Sequence, residues 1–167
     1  MKRFVLIIVV VLFGCFSWNC EKDDICSEST PTTPRLIMKF YSIDDPTTEK
    51  NVNSLLVTSN SGQDTLAIFQ NVSRIELPLQ ILADQTQYAF TINSNNTAFD
   101  NTDTLTFNYT RDDIFVSRAC GYKTVFLLDP ATPFVQDNGP DSRWMNNVTV
   151  EQPDIQDENE VHLSVLY

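Results

Sequence analysis

Thr104-Leu105-Thr106-Phe107-Asn108-Tyr109-Thr110 alternates polar and apolar side chains without a break. A period of two matches the pleat of a β-strand, so the segment predicts a strand with Leu105, Phe107 and Tyr109 in a core and the other face in water. Tyr88, Phe90 and Ile92 alternate in the same way with Gln87, Ala89, Thr91 and Asn93. Further out, Leu36, Met38 and Phe40 alternate with Ile37, Lys39 and Tyr41, and Ile75, Leu77, Leu79 and Ile81 with Arg74, Glu76, Pro78 and Gln80. Clean alternation of this kind belongs to antiparallel sheets with one wet face. Residues 55–58, 65–69, 114–117, 124–128, 147–150 and 161–167 are further strand candidates. Pro78 lacks a ladder donor, which puts its strand at a sheet edge.

Beyond residue 34 no stretch repeats apolar residues at helical spacing. Turn chemistry recurs instead at Asn60-Ser61-Gly62, residues 93–96, Asp112-Asp113 and Asn138-Gly139-Pro140. Many short strands between turns predict an all-β fold, an antiparallel β-sandwich of immunoglobulin-like or similar type. The chain has 167 residues, enough for one domain with its own core.

The N-terminus reads as an address. Lys2 and Arg3 precede an unbroken apolar run over residues 4–13, the pattern of a secretory signal and too short to span a bilayer. We expect a lipoprotein signal peptide over residues 1–19, a lipid anchor and tether over 20–34, and a single β-sandwich domain over 35–167. Two cysteines compete for the lipid. Leu12-Phe13-Gly14-Cys15 has the better small residue before its cysteine, whereas Ser17-Trp18-Asn19-Cys20 is followed by Glu21-Lys22-Asp23-Asp24. That run resembles the lysine-plus-acidic export signal found after the lipidated cysteine in lipoproteins of the Bacteroidota. Lipidation at Cys20 also leaves Cys26 and Cys120 as an even pair for a disulfide in an oxidising compartment. Cys20 is the expected site and Cys15 the alternative.

Lys and Arg number 11 against 22 Asp and Glu, and loss of Lys2 and Arg3 with the signal leaves a net charge of −13. So acidic a chain releases no phosphate counterions, which argues against nucleic acid as a partner. The acidic group Glu151, Asp154, Asp157, Glu158 and Glu160 reads as a solvated loop more readily than as a calcium site.

Chemistry-bearing residues are few. His162 is the one histidine, and with Ser164 it is expected on the solvated face of the last strand, without the acid and oxyanion donors of a hydrolase. Neither a second His nor a CxxC pair supports a metal site. No cofactor and no catalytic residue is assigned, and the chain is not expected to be an enzyme. Trp144 could stack on a sugar but is expected in the core or at a strand edge. Asp64-Thr65-Leu66 and Asp103-Thr104-Leu105 resemble the Asp-Ser/Thr-apolar acceptor of O-glycosylation in Bacteroidota, making Thr65 and Thr104 candidate acceptors. Both triplets also suit strand starts.

Cys20-Glu21-Lys22-Asp23-Asp24-Ile25-Cys26, residues 35–41, residues 93–109 and Val116-Ser117-Arg118-Ala119-Cys120-Gly121 together resemble an uncharacterised family of flavobacterial (Bacteroidota) lipoproteins, a domain of unknown function. The resemblance implies export, lipidation and a β domain, and brings no catalytic residues. The expected protein is anchored in the outer membrane through its acyl chains, on the periplasmic or cell-surface face. There it binds or scaffolds an envelope protein or glycan; a polysaccharide hydrolase, an accessory sugar-binding protein and a surface adhesin are the alternatives.

Overall fold

The structure is a computed structural model that describes residues 25–59, 64–138 and 142–167. The signal segment, Cys15, Cys20, residues 21–24, and the turn residues Asn60-Ser61-Gly62 and Gly139-Pro140 lie outside the described residues. All regular structure in the described residues is extended: β1 (Leu36–Tyr41), β2 (Leu55–Ser59), β3 (Asp64–Phe69), β4 (Arg74–Leu77), β5 (Gln85–Ile92), β6 (Asn101–Ser117), β7 (Gly121–Leu128), β8 (Phe134–Asn138), β9 (Asn147–Val150), β10 (Asp154–Ile155) and β11 (Leu163–Leu166).

The described residues form two compact units, one of Thr32–Ile114 with Lys123–Tyr167 and one of residues 25–31 with Phe115–Tyr122. The first holds the sandwich. A four-stranded sheet runs β4-β1-β11-β9, and a seven-stranded sheet runs β10-β7-β6-β5-β2-β3 with β8 also paired to β6. The expected antiparallel β-sandwich is found, with one departure: β1 and β11 pair in parallel, Met38 opposite Leu163. The core lies between the sheets, where Leu36, Met38 and Phe40 of β1 and Leu163 and Val165 of β11 join Phe90, Leu105, Phe107 and Phe126 of the larger sheet. Each such Leu or Phe contributes roughly 1.5–3 kcal/mol by leaving water.

Pro78 follows β4, and β4 is indeed an edge strand. It ends sooner than the alternation predicts: Leu79 is still buried but Ile81 is exposed. The segment after Pro78 is held by side chains, the Tyr88 hydroxyl donating to Pro78 O and the Tyr109 hydroxyl to Gln80 O at 3.0 Å. Burial pushes the Tyr88 hydroxyl up to about 12.

Asp112-Asp113, read from sequence as a turn, is extended backbone inside the 17-residue β6. Cross-strand pairing explains the difference. Asp113 Oδ1 accepts the Thr124 hydroxyl of β7 at 2.7 Å, and neighbouring Arg111 pairs at 2.6 Å with Asp84, just before β5, so Asp113 and Arg111 find partners on either side of the strand. Ile37, predicted to face water, is also buried.

The second unit, as far as it is described, is a short segment and a turn joined by the Cys26–Cys120 disulfide, its Cα atoms 5.0 Å apart. The turn follows β6 through Arg118-Ala119-Cys120, where the Ser117 hydroxyl accepts the Cys120 N–H at 3.0 Å. Gly121 closes it at φ +71°, a left-handed conformation that costs a residue with a Cβ.

Candidate functional site

The outer face of the larger sheet carries an open groove of about 400 Å³. Strand register builds it. Leu56 lies opposite Thr91, and Thr91 opposite Thr102, in one row across β2, β5 and β6. The next row runs Thr65, Thr58, Ala89, Thr104 and Asp137 over β3, β2, β5, β6 and β8. Ala89 is the small residue in the middle, so the floor drops there between longer side chains. Thr91 and Thr102 share a hydroxyl hydrogen bond of 2.7 Å, and Gln87 Nε2 donates to the Thr106 hydroxyl at 3.0 Å, which fixes the rim. The lining therefore offers hydroxyls, an amide and one carboxylate, Asp137, over an apolar patch of Leu56 and Ala89. Leu56 faces Ile68 of β3, which is 60 % exposed, so an apolar shoulder adjoins the groove.

The two candidate acceptors fall in this face. Thr65 is exposed on edge strand β3 and Thr104 is half-buried in the groove, three strands apart in the same row. Their aspartates differ sharply. Asp64 is exposed, whereas Asp103 is fully buried, its Oδ2 accepting the N–H groups of Trp144 and Met145 at 3.1 and 2.8 Å and Gln136 Nε2 at 3.3 Å. Among the described residues no donor reaches Asp103 Oδ1. Burial raises the Asp103 carboxyl above its ordinary range, against the opposing pull of those amides. Asp103 is thus a tie between β6 and the segment before β9, a role the triplet alone did not reveal.

Trp144 is in the core, as expected. Its indole Nε1–H donates to Phe90 O at 2.9 Å, and its ring packs at 6.2 Å from Phe40 and 5.7 Å from Tyr167. At 6 % exposure it offers no open ring face, and the sugar-stacking reading loses its residue.

His162 corrects the sequence reading outright: it is 1 % exposed and turned in, not solvated. The acidic segment covers it. Arg35 grips Glu158 with Nε and Nη2, both at 2.7 Å, and reaches Glu76 at 2.6 Å, while Arg74 donates to Glu158 O at 2.9 Å. Held in this way, Gln152, Asp154, Gln156, Asp157 and Glu160 line a cavity of about 200 Å³ together with His162. Under that cover His162 Nδ1 accepts the Ile37 N–H at 2.9 Å. Burial lowers the imidazole below its usual range, opposed by Asp157 and Glu160. Ser164 donates instead to Glu151, so His162 and Ser164 form no pair.

The rest of the acidic group is occupied as well. Glu160 accepts from Gln152 Nε2, Asp154 from Gln156 Nε2, and Asp157 from the Asn159 N–H. Among the described residues no three His, Cys, Asp or Glu side chains are placed to hold a metal ion.

Sandwich, groove and structural histidine together define an all-β domain whose open face is a polar groove. The chain belongs to a family of unknown function, DUF6452, which matches residues 54–167 and so takes in every groove-lining residue. No curated protein and no solved structure matches it.

Proposed function

We propose that this chain is a lipid-anchored module of the cell envelope that binds or scaffolds a partner and carries out no reaction. The observation that carries the reading is the groove around Ala89, Thr91 and Thr104, a preformed recess lined mainly by hydrogen-bonding groups. Side chains that could do chemistry are committed elsewhere: His162 to Ile37 N–H, Asp103 to two backbone amides, Glu158 to Arg35. The Cys26–Cys120 disulfide supports export, since such bonds persist in oxidising compartments. Acylation at Cys20, with Cys15 as the alternative, then holds the domain on the outer membrane, at its periplasmic or surface face.

A hydroxyl-rich lining also suits a hydroxylated ligand, so accessory binding of an envelope glycan is the second reading. It uses the same groove without a stacking aromatic.

Two measurements test the proposal. Labelled fatty acid should enter the protein and be lost in Cys20→Ser; label that persists moves the anchor to Cys15, and no label in either protein removes it. A photo-crosslinking amino acid at Thr104 should give a discrete adduct in intact cells, whereas the same group at exposed Lys50 should give none. Equal yields at both positions, or none at Thr104, overturn the groove as the binding face.

A further inference from the structure

Phe115 and Tyr122 stand opposite each other where β6 runs into the turn and β7 leaves it, their rings 5.3 Å apart, and both are largely exposed, at 56 % and 68 %. Ile25, 83 % exposed, is brought to the same turn by the neighbouring Cys26–Cys120 bond. A water-facing unit gains nothing from presenting two aromatics and an isoleucine together, because covering each would stabilise it by roughly 1.5–3 kcal/mol. Charge sets this stretch apart too. Residues 114–124 contain Arg118 and Lys123 and no carboxylate, in a chain with 22 of them.

Chain length names the occupant. Five residues separate Cys20 from Cys26, and even fully extended the six steps between them span no more than about 20 Å. Acyl chains at Cys20 would therefore keep the bridged turn within that distance of a bilayer surface, where Tyr and other aromatics settle at headgroup level.

We propose that the turn bearing Phe115 and Tyr122, with Ile25, rests in the interfacial layer of the bilayer that holds the protein's own acyl chains. This rests on the anchor at Cys20; from Cys15 the longer leash would relax the constraint. The anchor supplies the affinity, and the aromatic end turns a free tether into a seated contact.

Tyr122→Trp in the full lipidated chain provides the probe, at an exposed position that leaves the fold intact, and Trp144 in the core supplies a constant background. In phosphatidylcholine vesicles with lipids brominated near the headgroup, the added emission should be blue-shifted and fall about two-fold, while the parent's emission barely changes. Phe115→Trp on the facing strand should behave alike. Flotation of the same samples separates the two ideas. Protein that floats with its vesicles but shows neither shift nor quenching at either position overturns the seating and leaves the anchor standing. Protein that never floats overturns both.

Discussion

Asp103 brings a carboxylate into the core and hands one oxygen to two backbone amides, those of Trp144 and Met145. Asp103→Ala strands both N–H groups, and each buried orphan costs roughly 1–3 kcal/mol, so a loss of about 2–4 kcal/mol is expected in chemical denaturation. Asp103→Asn keeps an acceptor but never ionises. Because burial raises the folded carboxyl, the folded state holds the proton more tightly than the unfolded chain does. The cost of ionising it is absent below about pH 4 and grows as pH rises through and beyond that point. Stability of Asp103→Asn relative to the parent should therefore increase between pH 4 and pH 7; a constant difference would rule this out. His162 has the opposite dependence. Its folded pKa lies below the unfolded value, so its contribution is complete above about pH 6.5 and drains away as pH falls toward the lower folded value. Once protonated, Nδ1 can no longer accept the Ile37 N–H. His162→Gln should remove this slope from the stability profile, and NMR titration of the ring should report an apparent pKa below 6.5.

At the level of elements, two ties set the local order. The Cys26–Cys120 bridge closes a loop with a sequence separation of 94. Its reduction, or Cys120→Ser, should lower unfolding stability by about 2–4 kcal/mol through the freedom returned to the unfolded chain. A midpoint unmoved by reductant would contradict that. Arg35, with one guanidinium on Glu158 and Glu76, holds the acidic segment that roofs His162. These side chains are partly solvated, so Arg35→Met should cost no more than about 1 kcal/mol, yet the His162 pKa should move back toward its ordinary value as water enters. Strands were legible wherever one face met the core and the other met water. Leu36, Met38 and Phe40 in β1 and Leu105, Phe107 and Tyr109 in β6 needed no tertiary knowledge, and Asn147–Val150 matches its predicted bounds. The alternation failed at Ile37 and His162, both buried where water was expected, since a polar residue in that position looks solvated until its tertiary partners are known. It failed as well at Asp112-Asp113, where Asp113 finds its partner Thr124 only 11 residues on, across a strand pair, and at β8 and β10, strands too short or too polar to show a period. The groove was invisible for a related reason: Thr58, Ala89 and Thr104 become neighbours only through register, and a lone alanine in a strand announces nothing.

Over the whole molecule, charge and attachment work against each other. With the proposed signal removed the chain would carry −13, and if the proposed acyl chains held it near a lipid surface, any anionic lipid in that leaflet would repel it. A carboxylate-free stretch over residues 114–124 lessens the repulsion locally but does not abolish it, because at about 0.01 M salt the screening length is roughly 30 Å and reaches well past the turn. Seating of Phe115 and Tyr122 should then depend on lipid and salt together. In vesicles with about one third anionic lipid, bromolipid quenching of Tyr122→Trp should be weak near 0.01 M salt and recover near 0.5 M, where screening shrinks to a few ångströms. In purely zwitterionic vesicles the same salt series should leave quenching flat, while flotation, which depends on acyl chains alone, stays constant throughout. Quenching that instead strengthens with anionic lipid at low salt would mean that Arg118 and Lys123 dominate the approach, and that the overall acidity is held away from the membrane.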